Sequence, residues 1–153
     1  MEPFYYNVNV DWNIDRKGTM CSPELNKEGG NCIEVATPPD FPKGMPGIWS
    51  PEHLFTAAIN SCLMTTFLAI AENSALAFEN FSCNATGKLE KVEGKYMMSE
   101  VILEPHVVIS NEKDREKAER VLQKSEAACL ISNSVKSRVS MKTLISVKET
   151  VVA

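Results

Sequence analysis

SPEHLFTAAINSCLMTTFLAIAEN, residues 50–73, carries the strongest structural signal in the chain. Ser50 is a residue type that caps helix N-termini, Pro51 suits the first helical position, and Glu52 complements the positive end of the dipole. A helix is therefore predicted from Pro51 to about Asn73. Leu54 to Ala71 holds no charged residue over 18 positions, the length at which a membrane span becomes a candidate. Thr56, Asn60, Ser61, Thr65 and Thr66 interrupt it, no second such segment exists, and no basic flank would orient it. A helix buried in a soluble core is the better reading. Phe55, Ile59, Leu63, Phe67 and Ile70 spread its apolar surface over every face, so the helix has to be surrounded. A chain of 153 residues with thin sheets can hardly do that alone, which predicts a homodimer.

Outward from this helix the periodicity changes. Upstream, Tyr6, Val8, Val10 and Trp12 alternate with Asn7, Asn9 and Asp11, a strand pattern. Asp15 to Gly18 reads as a turn with Gly18 supplying the backbone freedom, and Thr19 to Ser22 as the returning strand. Asn26 to Gly30 reads as a turn, Asn31 to Ala36 as a strand, and the Pro- and Gly-rich Thr37 to Gly47 as a loop. Downstream, Asn80 to Lys91 and Tyr96 to Ser110 are predicted strands joined at Glu93-Gly94. Asn111 can cap a second helix whose apolar face is Ala118, Val121, Leu122, Ser125 and Cys129. Ser132-Asn133-Ser134 breaks or restarts it, and Lys142 to Val151 is a last strand. The order predicts an α+β fold in one domain, residues 1–153.

A net charge of −4 and a pI near 5.3, with no basic run, argue against nucleic acid and anionic membrane surfaces as partners. The first residues lack the basic region, apolar core and cleavage site of a signal peptide, so a cytoplasmic protein is expected. Thiols stay reduced there, so five cysteines do not read as a disulfide scaffold. No C-x-x-C pair occurs and only His53 and His106 could add imidazole, so no metal site is expected. Cys21, Cys32 and Cys83 lie on predicted strands and read as packing residues. Taken singly, Cys62 and Cys129 also read as small core hydrophobes.

A reactive Cys62 has a specific requirement. It lies about ten residues inside its helix, beyond the reach of the dipole, so a cation has to come from elsewhere. Arg16 in the early turn and Glu52 at the start of the helix could supply a guanidinium and its anchor.

The run from Ser50-Pro51-Glu52 to Cys62 resembles the signature block of the OsmC/Ohr peroxidases. Ala128-Cys129-Leu130-Ile131-Ser132-Asn133 is similar to that family's second, C-x-x-S block, and Arg16-x-Gly18 to its arginine turn. Ile14 and Asp15 stand where the Ohr subgroup has glycines, which favours an OsmC-like branch. The resemblance implies an intertwined homodimer, with long central helices wrapped by antiparallel sheets and active sites between subunits. It implies a thiol-dependent peroxidase for organic hydroperoxides, with Cys62 attacking, Cys129 resolving, Glu52 orienting Arg16, and Arg16 stabilising the thiolate. An external dithiol would regenerate the enzyme, and no cofactor is expected. Phe41, Met45, Ile48 and Trp49 either form apolar walls for the peroxide or staple their loop to the core. The alternative is a non-enzymatic small-molecule-binding dimer, or a redox sensor that shares the first chemical step.

Overall fold

The computed structural model describes residues 1–25, 28 and 30–149. Internal contacts group the chain into two units, Met1–Leu54 and Phe55–Ala153. Helices and sheets are both present, giving an α+β fold.

In the first unit, β1 (Asn9–Ile14), β2 (Lys17–Cys21) and β3 (Ile33–Ala36) form an antiparallel sheet in that order. The turn between β1 and β2 is made by Asp15, whose φ of 51° places it in the left-handed region. Gly18 is not the turn residue. It lies within β2 opposite Trp12, and a Cβ there would fall 2.6 Å from the Asp11 carbonyl oxygen. Its smallness serves close strand approach rather than backbone freedom. The alternating pattern around Trp12 does form a strand, but β1, the sheet edge, is exposed along its whole length, so the alternation does not mark a buried face. Trp12 donates its indole N–H to the Asp15 carbonyl at 3.1 Å and stays largely in solvent. The predicted turn at Asn26 to Gly30 includes Asn26, Lys27 and Gly29, which lie outside the described residues. Thr37 to Gly47 is a loop, and Ala36 donates its amide to the Trp49 carbonyl at 2.8 Å beyond it.

Helix α1 spans Pro51–Asn73, as the capping signals predict. Ser50 Oγ accepts the His53 amide at 3.2 Å, so the hydroxyl satisfies one of the free first-turn N–H groups.

In the second unit the length and composition of α1 are matched by a continuous packing face. Ile59, Leu63, Phe67 and Ala71, four residues apart, are buried. They lie against a sheet led by the hairpin β4 (Asn80–Val92) and β5 (Lys95–Ile109). Glu93 and Gly94, with φ of 51° and 80°, form the tight turn that matches strand twist. β4 alternates exposed and half-buried residues with period two. Phe67 stacks on Phe81 at 4.7 Å and meets Phe78 edge-on at 5.1 Å. Asn60 ties helix to strand by donating its amide to the Cys83 carbonyl at 3.0 Å. At Gly87 a Cβ would sit 2.2 Å from Thr56 Oγ1 and 2.8 Å from Met98 Cε, so the helix crosses β4 where no side chain would fit. On another face of α1, Met64 and Leu68 are 40% and 43% exposed.

After a 3-10 turn at Glu112–Asp114, where Asn111 accepts the Lys113 amide, helix α2 runs Arg115–Ala128. It buries Ala118, Val121, Leu122 and Ser125. The predicted final strand, Lys142 to Val151, is found as β7 (Leu144–Val147), with Thr150 to Ala153 outside the described residues, and a strand the sequence reading did not assign, β6 (Arg138–Met141), precedes it. Both pair parallel with β5, at Glu100–Leu103 and His106–Ile109. The skipped stretch contains Pro105, which has no N–H for a ladder.

Candidate active site

The two thiols predicted to work together are brought together. Cys62 lies on the buried side of α1, with its sulfur 3.9 Å from the hydroxyl of Thr66 one helical turn on. Cys129 is the residue at which α2 ends, leaving helical geometry at φ −65° and ψ 109°. Both are free and buried.

Where α2 stops, backbone donors are released toward the sulfur. Burial by itself pushes the Cys62 thiol up. Hydrogen bonds from the Cys129 thiol, the Ile131 backbone, the Thr66 hydroxyl and the Leu130 backbone outweigh it, and the thiol lies below its ordinary range. The opposite holds for Cys129. Burial and the neighbouring Cys62 push it up, and bonds from the Ser132 side chain and backbone only partly offset this. The arrangement therefore favours a thiolate at Cys62 and a protonated, donating thiol at Cys129. Such a pair sets a more acidic thiol beside a less acidic one. Thr66, Ser132 and the amides of Leu130 and Ile131 were not among the predicted site residues. Their signal is spacing: Thr66 is four after Cys62 on a helix, and the other three follow Cys129 at a helix break.

Arg16 and Glu52 fall in the first unit. Arg16 is exposed at the β1–β2 turn, its carbonyl accepting the Thr37 amide at 3.2 Å. It borders a groove of about 720 Å³ with Trp12, Gly18, Val35, Ala36 and Pro51. Glu52 stands half-buried in the first turn of α1. Among the proposed wall residues, Ile48 and Trp49 line a hollow of about 310 Å³ with Gly47 and His53. Trp49 meets the His53 ring edge-on at 6.2 Å. The backbones of Phe41 and Met45 close turns within their own loop, Phe41 donating to the Pro38 carbonyl and Met45 to that of Thr37.

The remaining cysteines divide. Cys83 is half-buried on β4 beside the α1 packing face, and burial pushes its thiol up to about 11, so packing is its role. Cys21 and Cys32 are not packing residues: they form a disulfide with Cα atoms 4.5 Å apart. The register of β2 and β3 explains this. Met20 pairs with Ile33, so Cys21 and Cys32 stand directly opposite just beyond that pair. A Cα separation of 4.5 Å is that of a non-hydrogen-bonded antiparallel pair.

Comparison with known proteins gives a consistent result. The OsmC-like protein family matches residues 44–143, which include Glu52, Cys62 and Cys129. The uncharacterised protein YmaD of Bacillus subtilis (strain 168) is 26% identical over 148 residues, covering 95% of this chain and 94% of YmaD. The structure of an OsmC-like protein of unknown function from Vibrio cholerae is 26% identical with a TM-score of 0.81, over 93% of this chain and 100% of that one. An organic hydroperoxide resistance protein OsmC from Legionella pneumophila shares the fold at 20% identity and a TM-score of 0.69, over 95% and 99% of the two chains. With its thiol pair on the helix and helix end that the signature blocks mark, the chain belongs to the OsmC-like family of the OsmC/Ohr proteins.

Proposed function

We propose that this chain is a thiol-dependent peroxidase that reduces organic hydroperoxides to alcohols. The observation that carries the reading is a pair of free, buried thiols, Cys62 on the packed side of α1 with its sulfur 3.9 Å from the Thr66 hydroxyl and Cys129 at the end of α2, where hydrogen bonds lower the Cys62 thiol against its burial. The name of the Legionella relative, an organic hydroperoxide resistance protein, supports the substrate class. In the first step the Cys62 thiolate attacks the distal oxygen of R–O–O–H. The O–O bond breaks, the alkoxide takes a proton and leaves as the alcohol, and the sulfur becomes a sulfenic acid. Cys129 then attacks that sulfur, the S–S bond forms, and the sulfenic oxygen leaves as water. An external dithiol reduces the disulfide by exchange and is itself oxidised.

Arg16, oriented by Glu52, is the guanidinium assigned to the thiolate and the peroxide. Its planar fork can donate two parallel hydrogen bonds, which lysine cannot. Phe41, Met45, Ile48 and Trp49 are the apolar wall residues that would favour an organic over an inorganic peroxide. The working form is a homodimer in the cytoplasm. The test is consumption of cumene hydroperoxide with excess dithiothreitol. Cys62→Ser should consume none, and Cys129→Ser should consume about one equivalent per chain and then stall without added thiol, turning over only when a small thiol such as dithiothreitol is present. Wild-type turnover by Cys62→Ser, or peroxide-treated protein with no Cys62–Cys129 linked peptide, would overturn the proposal.

A further inference from the structure

The peroxidase scheme leaves one pair of sulfurs unused. Cys21 ends β2 and Cys32 lies just before β3, and their disulfide closes the loop Ser22 to Asn31. Cys32 is exposed. An exposed disulfide is open to attack by a thiolate from solution, whereas Cys62 and Cys129 are buried. The closed loop also has a job in the first unit. Within it Leu25 donates its amide to the Ser22 carbonyl at 3.1 Å, and Asn31 donates to the Leu25 carbonyl at 2.6 Å. Glu24 projects from it as a clasp. Its Oε2 accepts the Ser22 hydroxyl at 2.5 Å, and its Oε1 accepts both the backbone and side-chain N–H of Asn7, at 3.0 and 2.7 Å. The Ser22 hydroxyl, then the Asn7 side chain, hold the Glu24 carboxyl at about 2, so the clasp is ionised at any physiological pH. Through it the loop holds the arm that carries the exposed Phe4, Tyr5 and Tyr6.

We propose that Cys21 and Cys32 form a second, surface thiol–disulfide couple that exchanges with dithiols in solution and, when closed, fixes the Glu24 loop and the arm it clasps. In the reductive direction a thiolate of the dithiol attacks the Cys32 sulfur. The Cys21–Cys32 bond breaks and Cys21 leaves as a thiolate, which takes a proton. The second thiol of the reductant then attacks its own sulfur in the mixed disulfide and releases Cys32. The chain gains two electrons and two protons, and the dithiol becomes a disulfide. Closure is the reverse reaction with an oxidised dithiol. Reduction removes the cross-link that restrains the loop, and the arm is then held only by hydrogen bonds to a freer segment.

The test uses the full chain oxidised with excess diamide, blocked with iodoacetamide in denaturant, and mapped by mass spectrometry without reduction. A peptide pair linked through Cys21 and Cys32 is expected in wild type, and equally in Cys62→Ser/Cys129→Ser, so the result does not depend on the peroxidase reading. Loop freedom is read by glutamyl endopeptidase cutting after Glu24 or Glu28. Reduced dithiothreitol should make the cut roughly tenfold faster in wild type, as expected when a restrained segment opens locally. Cys32→Ser should cut at that faster rate with or without reductant. Carbamidomethylated Cys21 and Cys32 in oxidised protein, or linkage of either to another cysteine, would overturn the couple. Loss of the linked peptide on reduction with no change in cutting would overturn its hold on the loop.

Discussion

Cys62 is a thiol without a helix terminus, and the hydrogen bonds that lower it come from Thr66 one turn on and from the residues around the end of α2. The Thr66 hydroxyl is the donor that can be removed with least disturbance. Thr66→Val should raise the Cys62 pKa and lower the thiolate fraction at neutral pH. Iodoacetamide alkylation of Cys62 at pH 7 should slow by roughly fivefold, the rate equivalent of about 1 kcal/mol of lost hydrogen bonding. Thr66→Ser should restore it, and Cys83 in the same digest is the slow internal standard, because its thiol is pushed up to about 11. Cys83 carries its own pH signature. A folded-state pKa above the unfolded value of about 8.5 means that folding binds the proton more tightly. Its contribution to stability is complete below about 8.5 and declines as pH rises toward about 11. Urea midpoints should fall over that interval, and Cys83→Ala should flatten the fall. For Arg16 the expected result is a raised Cys62 pKa in both Arg16→Ala and Arg16→Lys, larger in the former. An unchanged thiolate titration would move the role away from Arg16. Arg138, whose guanidinium lies 3.7 Å from the Glu100 carboxylate, would then be the next candidate.

α1 and β4 approach closely where they cross at Gly87. Gly87→Ala should force the Thr56 hydroxyl and the Met98 methyl aside, at a cost of about 1–3 kcal/mol from overpacking, read as a lower urea midpoint. Both partners of that contact were legible in the sequence as elements, while their crossing was not. The bounds of α1 follow from Ser50, Pro51 and an uninterrupted apolar run, and β4 with its turn follows from alternation and Glu93-Gly94. These are local signals. β6 was missed because it is only four residues long and its pairing partner lies on β5, some forty residues upstream. Gly18 was assigned to a turn because glycine has two uses, and only the strand pairing reveals which applies. The Cys21–Cys32 bridge was missed for the same reason: it depends on register across a loop, not on spacing along the chain. The site divided similarly, with Cys62 and Cys129 marked by sequence blocks and the Leu130 and Ile131 amides hidden, because every residue has an amide and only the helix end frees these two.

At the scale of the molecule, one chain leaves apolar surface it cannot cover. Met64 and Leu68 on α1, and Phe4, Tyr5, Tyr6, Val8 and Val10 along the arm and β1, are all exposed. Leaving such side chains in water forfeits roughly 1.5–3 kcal/mol each, so several together rival the net stability of a whole domain. The active chain should therefore be a homodimer. Light scattering at micromolar concentration should give twice the 17.0 kDa chain mass, and dilution should lose structure and peroxidase activity together. A folded, active monomer at nanomolar concentration would contradict this. The placement of the two indoles has an optical consequence. Trp12 and Trp49 are the only tryptophans in the sequence; both lie in the first unit, 77% and 52% exposed, and the thiol pair lies in the second. Intrinsic fluorescence excited at the red edge of protein absorption thus originates wholly in the unit that carries Arg16 and the Cys21–Cys32 bridge.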